Sequence, residues 1–167
     1  NQAGIAQWNL ARLAEALASL VEMKELESGL ELYAGTFQAG WNRAIAAKLG
    51  LKSVPDELAG GLFRALAAAE TDFTIFFRSL AVEEPSVEAL RPAFYADRPA
   101  DDPLVEWLRL YNGKLREEAV GPRERIDGMK RVNPKYVFRN YLAVQAIEAK
   151  EEGDTSVHER LMHVLER

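Results

Sequence analysis

Residues 131–154 read RVNPKYVFRNYLAVQAIEAKEEGD, and this segment carries signals for both ends of a helix. Asn133 is a residue type that caps helix N-termini, and Pro134 suits the first helical position because its missing N–H needs no partner there. Ala, Glu and Lys dominate the second half, and Gly153 follows them as a typical helix terminator. The sequence therefore predicts one helix that begins at Asn133 and ends at Gly153.

The first half of this segment is rich in polar and aromatic side chains. An amphipathic helix needs one apolar and one solvated face, which does not account for two phenols, an amide and a guanidinium so close together. The resulting candidate site, with no role assigned to its members, is Asn133, Pro134, Tyr136, Arg139, Asn140 and Tyr141. We expect its polar and aromatic side chains at a packed polar junction.

A small basic cluster surrounds the same segment. Its members are Lys130, Arg131, Lys135 and Arg139. Two interpretations stay open at this point. The cluster could face a phosphate group or an acidic partner, or it could belong to a buried network of hydrogen bonds and ion pairs.

The segment resembles the C-terminal signature of the selenoprotein O (YdiU) family, whose members look like protein kinases but transfer AMP to proteins. Further stretches resemble that family in the same order along the chain. They are NQ and WNLARLAEAL within residues 1–17, KLGL at 48–51, DFTIFFRSL at 72–80 and the closing run 158–167. Together these landmarks span nearly the whole chain, which is on this basis identified as a member of the family.

The resemblance implies a kinase-like parent protein in which this chain, one helical domain over residues 1–167, is the C-terminal lobe and extension. It implies that ATP and Mg²⁺ bind upstream of Asn1. No catalytic, cofactor-binding or metal-binding residue is therefore expected here, and the chain alone is expected to be inactive. The chain departs from the family pattern at Ala3, where proline is usual, and lacks the cysteine or selenocysteine that commonly follows the last helix.

Apolar residues recur at helical spacing along the chain, and no segment alternates as a strand would. The predicted fold is all-α, an irregular multi-helix bundle. Thr71 is the predicted cap of the helix that follows it. The three tryptophans lie on apolar stripes and are predicted to be core residues; they are Trp8, Trp41 and Trp107.

The second predicted helix contains three glycines, Gly29, Gly35 and Gly40. Each glycine costs up to about 1 kcal/mol relative to alanine inside a helix. Such a cost is most easily offset where a neighbouring helix packs closely. The pattern therefore predicts that this helix is central in the bundle and that Gly50 ends it.

Composition limits the classes of partner. The formal net charge of −5 gives no electrostatic footprint for nucleic acid or for an anionic membrane. No apolar run approaches the roughly 20 residues that span a bilayer. The absence of cysteine excludes disulfides and thiolate chemistry. The compartment stays unassigned, with the cytoplasm expected if the source is bacterial.

Other chemistry-bearing residues favour structural interpretations. His158 and His163 are five residues apart, which on a helix places them on different faces, as surface or packing histidines. Asp101 and Asp102 precede Pro103 and could hold Mg²⁺, but capping of the next helix is favoured. Adjacent glutamates near helix ends are expected to be solvated; they are Glu83-Glu84, Glu117-Glu118 and Glu151-Glu152.

The favoured function is support of a protein adenylyltransferase, with the missing N-terminal kinase-like region and the parent's protein substrates as partners. The alternative is a free-standing helical interaction module. A helical enzyme with an unfamiliar site would need a deep polar pocket. Removal of a natural partner lobe should leave exposed apolar surface, through which a dimer could form.

Overall fold

The described chain is a succession of helices without a β-sheet. The structure, a computed structural model, describes residues 2–95, 102–118 and 120–165. A 3₁₀ turn at Arg91–Ala93 follows the fifth helix, and one isolated bridge joins Thr71 to Phe94. The helices in these ranges are α1 (Gln2–Leu17), α2 (Met23–Leu49), α3 (Asp56–Ala68), α4 (Phe73–Ser79), α5 (Val87–Leu90), α6 (Asp102–Glu117), α7 (Pro122–Val132), α8 (Asn140–Glu151) and α9 (Ser156–Leu165). The predicted all-α fold is confirmed.

The core forms where α3 packs against α6. The Trp107 indole N–H donates to the Leu58 carbonyl over 2.9 Å, and the Tyr111 hydroxyl donates to the Leu49 carbonyl over 2.6 Å. Burial raises the pKa of Tyr111 to about 12, so the phenol remains a donor at neutral pH. The buried apolar residues of these two helices recur at helical spacing: Leu58, Leu62, Ala65, Leu66, Leu104, Trp107, Leu108 and Tyr111.

Helix α4 contributes the aromatic side of this core. Phe76 and Phe77 are buried and meet edge to face, with ring centroids 5.6 Å apart. The predicted cap is wrong by one residue, because Asp72 rather than Thr71 caps the helix. One Asp72 carboxylate oxygen accepts the N–H groups of Thr74 and Ile75, each over 2.9 Å. The Thr71 hydroxyl instead lies 3.4 Å from the Leu66 carbonyl of the preceding helix.

The signature helix begins seven residues later than predicted. Asn133 follows α7 as its C-terminal cap, with its N–H donating to the Met129 carbonyl over 2.8 Å. A residue before proline is driven out of the helical region, and Asn133 accordingly has φ −106° and ψ 100°. Pro134 therefore ends α7 instead of starting α8, which begins at Asn140. The predicted end is confirmed, because Gly153 follows α8 with a positive φ of 89°.

Helix α2 ends as predicted but is not central over most of its length. Gly50 adopts φ 65°, and its N–H donates to carbonyls of the last turn. A Cβ built at Gly29, Gly35 or Gly40 would meet no atom within 4 Å. The prediction of close packing at these glycines is therefore wrong among the described residues, and only the last turn of α2 enters the core.

The three tryptophans also differ in burial. Trp107 is buried, as predicted, but Trp8 and Trp41 are exposed by 61% and 42%. Trp8 lies on α1, which has no buried residue. This helix is attached to α2 along one side, where the Tyr33 hydroxyl donates to the Ala3 carbonyl over 3.1 Å.

The remaining structural predictions mostly hold. His158 and His163 are exposed on α9. Of the paired glutamates, Glu118 contradicts the prediction, because its side chain is only 9% exposed and accepts the Lys52 N–H over 2.7 Å. Asp101 and the side chain of Asp102 lie outside the described residues. None of the helices within the described ranges combines the length and apolar character that a bilayer crossing requires.

Gly50 and Gly35 give a matched test of this packing. A Cβ at Gly50 would lie 2.7 Å from Cγ of Arg125 and 2.8 Å from Cγ of Met129. Together with the left-handed φ, this contact should lower the free energy of unfolding of Gly50→Ala by about 2–5 kcal/mol. Gly35→Ala, in open space, should raise it by up to about 1 kcal/mol. Urea unfolding followed by circular dichroism measures both; equal effects would contradict this account.

Candidate functional site

The residues singled out by sequence lie on an extended segment that joins α7 to α8. This segment, residues 133–139, belongs to neither helix. Helix α4 holds it at both ends through two residues of its own, Arg78 near the C-terminus and Asp72 at the N-terminal cap. We call these two attachments the α4 junction.

The first attachment is centred on Asn133, of which only 1% is exposed. Its side-chain amide donates to the Lys48 carbonyl over 2.9 Å, and the Lys48 ammonium donates back to the amide oxygen over 3.3 Å. Arg78 donates from one nitrogen to the carbonyls of Asn133 and Lys130, each over 2.9 Å. The ends of α2, α4 and α7 thus meet at one residue.

The second attachment is an ion pair between Arg139 and Asp72, with the guanidinium 2.7 Å from the carboxylate. The N–H of Ile75 lowers the pKa of Asp72, desolvation opposes it, and Arg139 and the N–H of Thr74 lower the pKa further. The Asp72 N–H donates to the Ala93 carbonyl over 2.7 Å, which fixes this end of α4. Asp72 therefore caps a helix and binds the segment with one carboxylate.

Between the two attachments the side chains face solvent. Tyr136, Val137 and Phe138 are exposed by 52%, 41% and 53%, and the Lys135 ammonium lies 5.2 Å from the centre of the Tyr136 ring. A groove of about 320 Å³ runs beside them. Its apolar lining includes Ile75, Val137, Phe138, Leu142, Leu161 and Val164.

The structure therefore divides the predicted site. Asn133 is buried at a polar junction, and Arg139, whose side chain is half exposed, makes an ion pair there, whereas Tyr136, Asn140 and Tyr141 are exposed, as is Pro134. Arg139 thus makes an ion pair, but it does not belong to a buried network. The other three cluster members, Lys130, Arg131 and Lys135, are exposed.

Sequence reasoning missed the residues that receive the segment, which are Lys48, Asp72 and Arg78. A signal for them was present. Lys48 belongs to the KLGL stretch, and both Asp72 and Arg78 belong to the DFTIFFRSL stretch. The separate stretches that carry the family resemblance thus meet the signature segment in space.

A polar cleft elsewhere bears on the idea of an unfamiliar enzyme site. It has a volume of about 610 Å³ and is lined by Glu83, Glu84 and Arg125, among others. The Arg125 guanidinium is buried and donates to the carbonyls of Val82 and Glu83 over 2.6 and 3.1 Å. The Arg125 guanidinium therefore binds backbone carbonyls, and Glu83 and Glu84 are exposed at the rim of the cleft.

The residues described here do not fit ATP or a bound metal ion. No group of three or more His, Cys, Asp or Glu side chains gathers in the described ranges as ligands for a metal. The two arginines of the α4 junction, Arg78 and Arg139, are bound to carbonyls and to a carboxylate. Every buried side-chain nitrogen and oxygen in the described part of the chain has a hydrogen-bond partner.

Comparison with known proteins extends these observations. The family model described as "Protein adenylyltransferase SelO" matches residues 1–166. The chain belongs to this family. The resemblance noted in the sequence is thereby confirmed, and the match to the SelO family covers the core, the α4 junction and the helices from α1 to α9.

Similar curated proteins carry the name "Protein nucleotidyltransferase YdiU". The protein from Nitrosospira multiformis is 42% identical over 202 aligned residues, which cover 99% of this chain and 36% of the relative. Those from Aromatoleum aromaticum and Xanthomonas euvesicatoria pv. vesicatoria are each 41% identical, with 99% of this chain and 34% of the relative covered. The chain therefore spans about a third of the length of these SelO-family relatives.

The Asp72–Arg139 pair should make stability depend on pH. The folded-state pKa of Asp72 lies below its ordinary value of 3.8, so the ionised carboxylate stabilises the fold above that pH. This contribution disappears as the pH falls through the lowered pKa. Between about pH 5 and pH 2, the free energy of unfolding should therefore fall less steeply in Asp72→Asn than in the unmodified protein.

The control for this prediction is Asp127→Asn, at an exposed position of α7. Urea unfolding at each pH gives the free energy of unfolding of all three proteins. Asp127→Asn should keep the unmodified slope. If Asp72→Asn also kept it, ionisation of Asp72, as helix cap and as partner of Arg139, would make no contribution to stability.

Proposed function

We propose that this chain is a helical, non-catalytic region of a protein nucleotidyltransferase that transfers AMP from ATP to protein hydroxyl groups. Its role in that enzyme is support of the catalytic region and presentation of a surface to protein substrates. Membership of the SelO family over residues 1–166 supports this proposal, as do relatives named protein nucleotidyltransferases.

The observation that carries a supporting role is the α4 junction. Its charged side chains bind backbone carbonyls and one another. Truncation of such a group leaves its buried partner unsatisfied, at a cost of about 1–3 kcal/mol. Side chains bonded in this way fix the positions of helix α4 and the 133–139 segment relative to each other, which is a structural role.

ATP and Mg²⁺ belong, in this proposal, to the part of the parent protein outside this chain. The kinase-like architecture of that part follows from the resemblance alone. Because the residues described here do not fit either ligand, no step of AMP transfer is assigned to any of them. The protein substrates are expected to meet the parent near exposed surface such as the middle of the 133–139 segment.

A free-standing interaction module is the second candidate function. The exposed aromatic side chains favour it, because large apolar patches commonly mark protein interfaces. The two candidates differ in one measurable respect. A module acts without the remaining two-thirds of the family polypeptide, whereas a supporting region has an activity only in its presence.

The test of AMP transfer uses ATP labelled on its α-phosphate, together with Mg²⁺ and a generic protein acceptor. The purified chain should transfer no label. A chimera in which this chain replaces the matched segment of the Nitrosospira multiformis relative should label protein. Gel autoradiography measures both results, and a reaction with excess chelator controls for label bound without Mg²⁺.

Two results would contradict the proposal. Label transferred by the chain alone would mean that a nucleotide site lies within residues 1–167. A folded chimera that transfers no label, while the unmodified relative does, would mean that this chain cannot take the place of the family segment. The second result would favour the interaction module.

A further inference from the structure

Helix α1 has the composition of a buried helix but no buried residue. Its 16 residues read QAGIAQWNLARLAEAL and include only two charged side chains, Arg12 and Glu15, which pair with each other. Large apolar side chains that such a helix leaves exposed commonly mark a surface that another part of a protein covers. Here α1 touches α2 on one side and solvent on the other.

Helix α1 turns small side chains toward α2 and large apolar side chains toward solvent, which is the reverse of what contact with water favours. Its half-buried side includes the small residues Ala3, Ala6 and Ala14. The large residues Ile5, Trp8 and Leu13 are exposed by 60%, 61% and 54%. These three residues line an exposed surface that spans about 140° around the helix from Trp8 to Leu13, and we call it the outer face of α1.

A row of stacked aromatic rings forms a second exposed apolar surface, on α2 and α3. Successive ring centroids in Tyr33, Phe37, Trp41 and Phe63 lie 5.9, 6.4 and 5.8 Å apart. Phe37, Trp41 and Phe63 are exposed by 40%, 42% and 38%. A shallow cavity beside them reaches Ala3 and Ala6 of α1, so the aromatic row and α1 border the same hollow.

The total surface indicates how much of the chain lacks cover. The accessible surface is 11574 Å², whereas a compact protein of 18.7 kDa exposes about 8,300 Å². Obligate interfaces bury about 2,000–5,000 Å² over both partners, so the excess of roughly 3,300 Å² on this one chain is larger than one side of such an interface. An excess of this size favours a permanent partner over a transient one.

We propose that the outer face of α1 and the aromatic row are the docking surface for the part of the parent polypeptide that lies outside this chain. This inference rests on the proposed function. The relatives are about three times as long as the matched segment, so the covering residues are covalently attached. Attachment gives them a millimolar effective concentration, which a second copy of the chain does not have. The surface is mainly apolar, with the Arg12 guanidinium over the Trp8 ring and paired with Glu15, so its occupant is a largely apolar face of that polypeptide.

Amide hydrogen exchange of residues 2–17 tests the docking. Mass spectrometry compares the chain alone with the chimera described above. Exchange in the chimera should be at least about tenfold slower, because opening of a covered helix requires separation of the interface. Leu13→Asp should restore fast exchange in the chimera, since it places a charge in that interface.

The matched control is Leu32→Asp. Leu32 is 68% exposed and lies about 140° around α2 from Phe37, away from the aromatic row. Exchange of residues 2–17 should stay slow in this variant. If both substitutions had the same effect, the inferred docking surface would be wrong.

The failure of this inference is distinguishable from failure of the proposed function. A chimera that transfers AMP while residues 2–17 exchange fast overturns the inference alone. Slow exchange without AMP transfer overturns the function and keeps the docking surface. Slow exchange in a chimera that sedimentation shows to be a dimer, and that Leu13→Asp makes monomeric, would assign the surface to a second copy instead.

Circular dichroism first establishes that the chimera is folded. If it is not, the exchange comparison is made on the unmodified Nitrosospira multiformis relative, between the whole protein and its matched segment alone. Slow exchange of the helix aligned with α1 in the whole protein supports the inference. Equal exchange in the two forms overturns it.

Discussion

The structure depends on α4 being held at both of its ends by one segment of chain. Arg78 binds the Asn133 carbonyl near the C-terminus of the helix, and Asp72 binds Arg139 at its N-terminal cap. Helix α4 has seven residues, too few to be stable on its own. Its geometry therefore comes from the aromatic core on one side and from the 133–139 segment on the other. Loss of either attachment would release one end of α4 and one end of the 133–139 segment from each other.

This arrangement explains why widely separated stretches resemble the family. Lys48, Asp72 and Arg78 are far from Asn133 and Arg139 in sequence, yet they make up one set of hydrogen bonds. The contact between Lys48 and Asn133, in which each residue donates to the other, needs a side chain at 133 that both donates and accepts. The ion pair needs opposite charges at positions 72 and 139. In this chain these stretches therefore form one structural junction, whose bonds are made between residues of the polypeptide itself.

The sequence predicted the all-α fold, the stop at Gly50 and the core stripe around Trp107, because these follow from local periodicity and backbone conformation. It misplaced the start of α8, since Asn-Pro signals the end of one helix as well as the start of another, and only the contact with Lys48 decides between them. Of the candidate site, Asn133 and Arg139 could be placed at a polar junction. Their partners could not, because periodicity carries no information on which helix ends meet.

The errors at Trp8, Trp41 and the glycines of α2 have a common physical origin. Periodicity identifies which faces of a helix avoid water, but it does not say which residues cover them. Around Trp107 the cover comes from this chain, whereas the outer face of α1 has none within the described residues. Because most helix stability comes from tertiary packing, α1 draws little from its one-sided contact with α2. If the outer face is docked as proposed, folding of α1 is coupled to that partner, whereas the core between α3 and α6 forms within this chain.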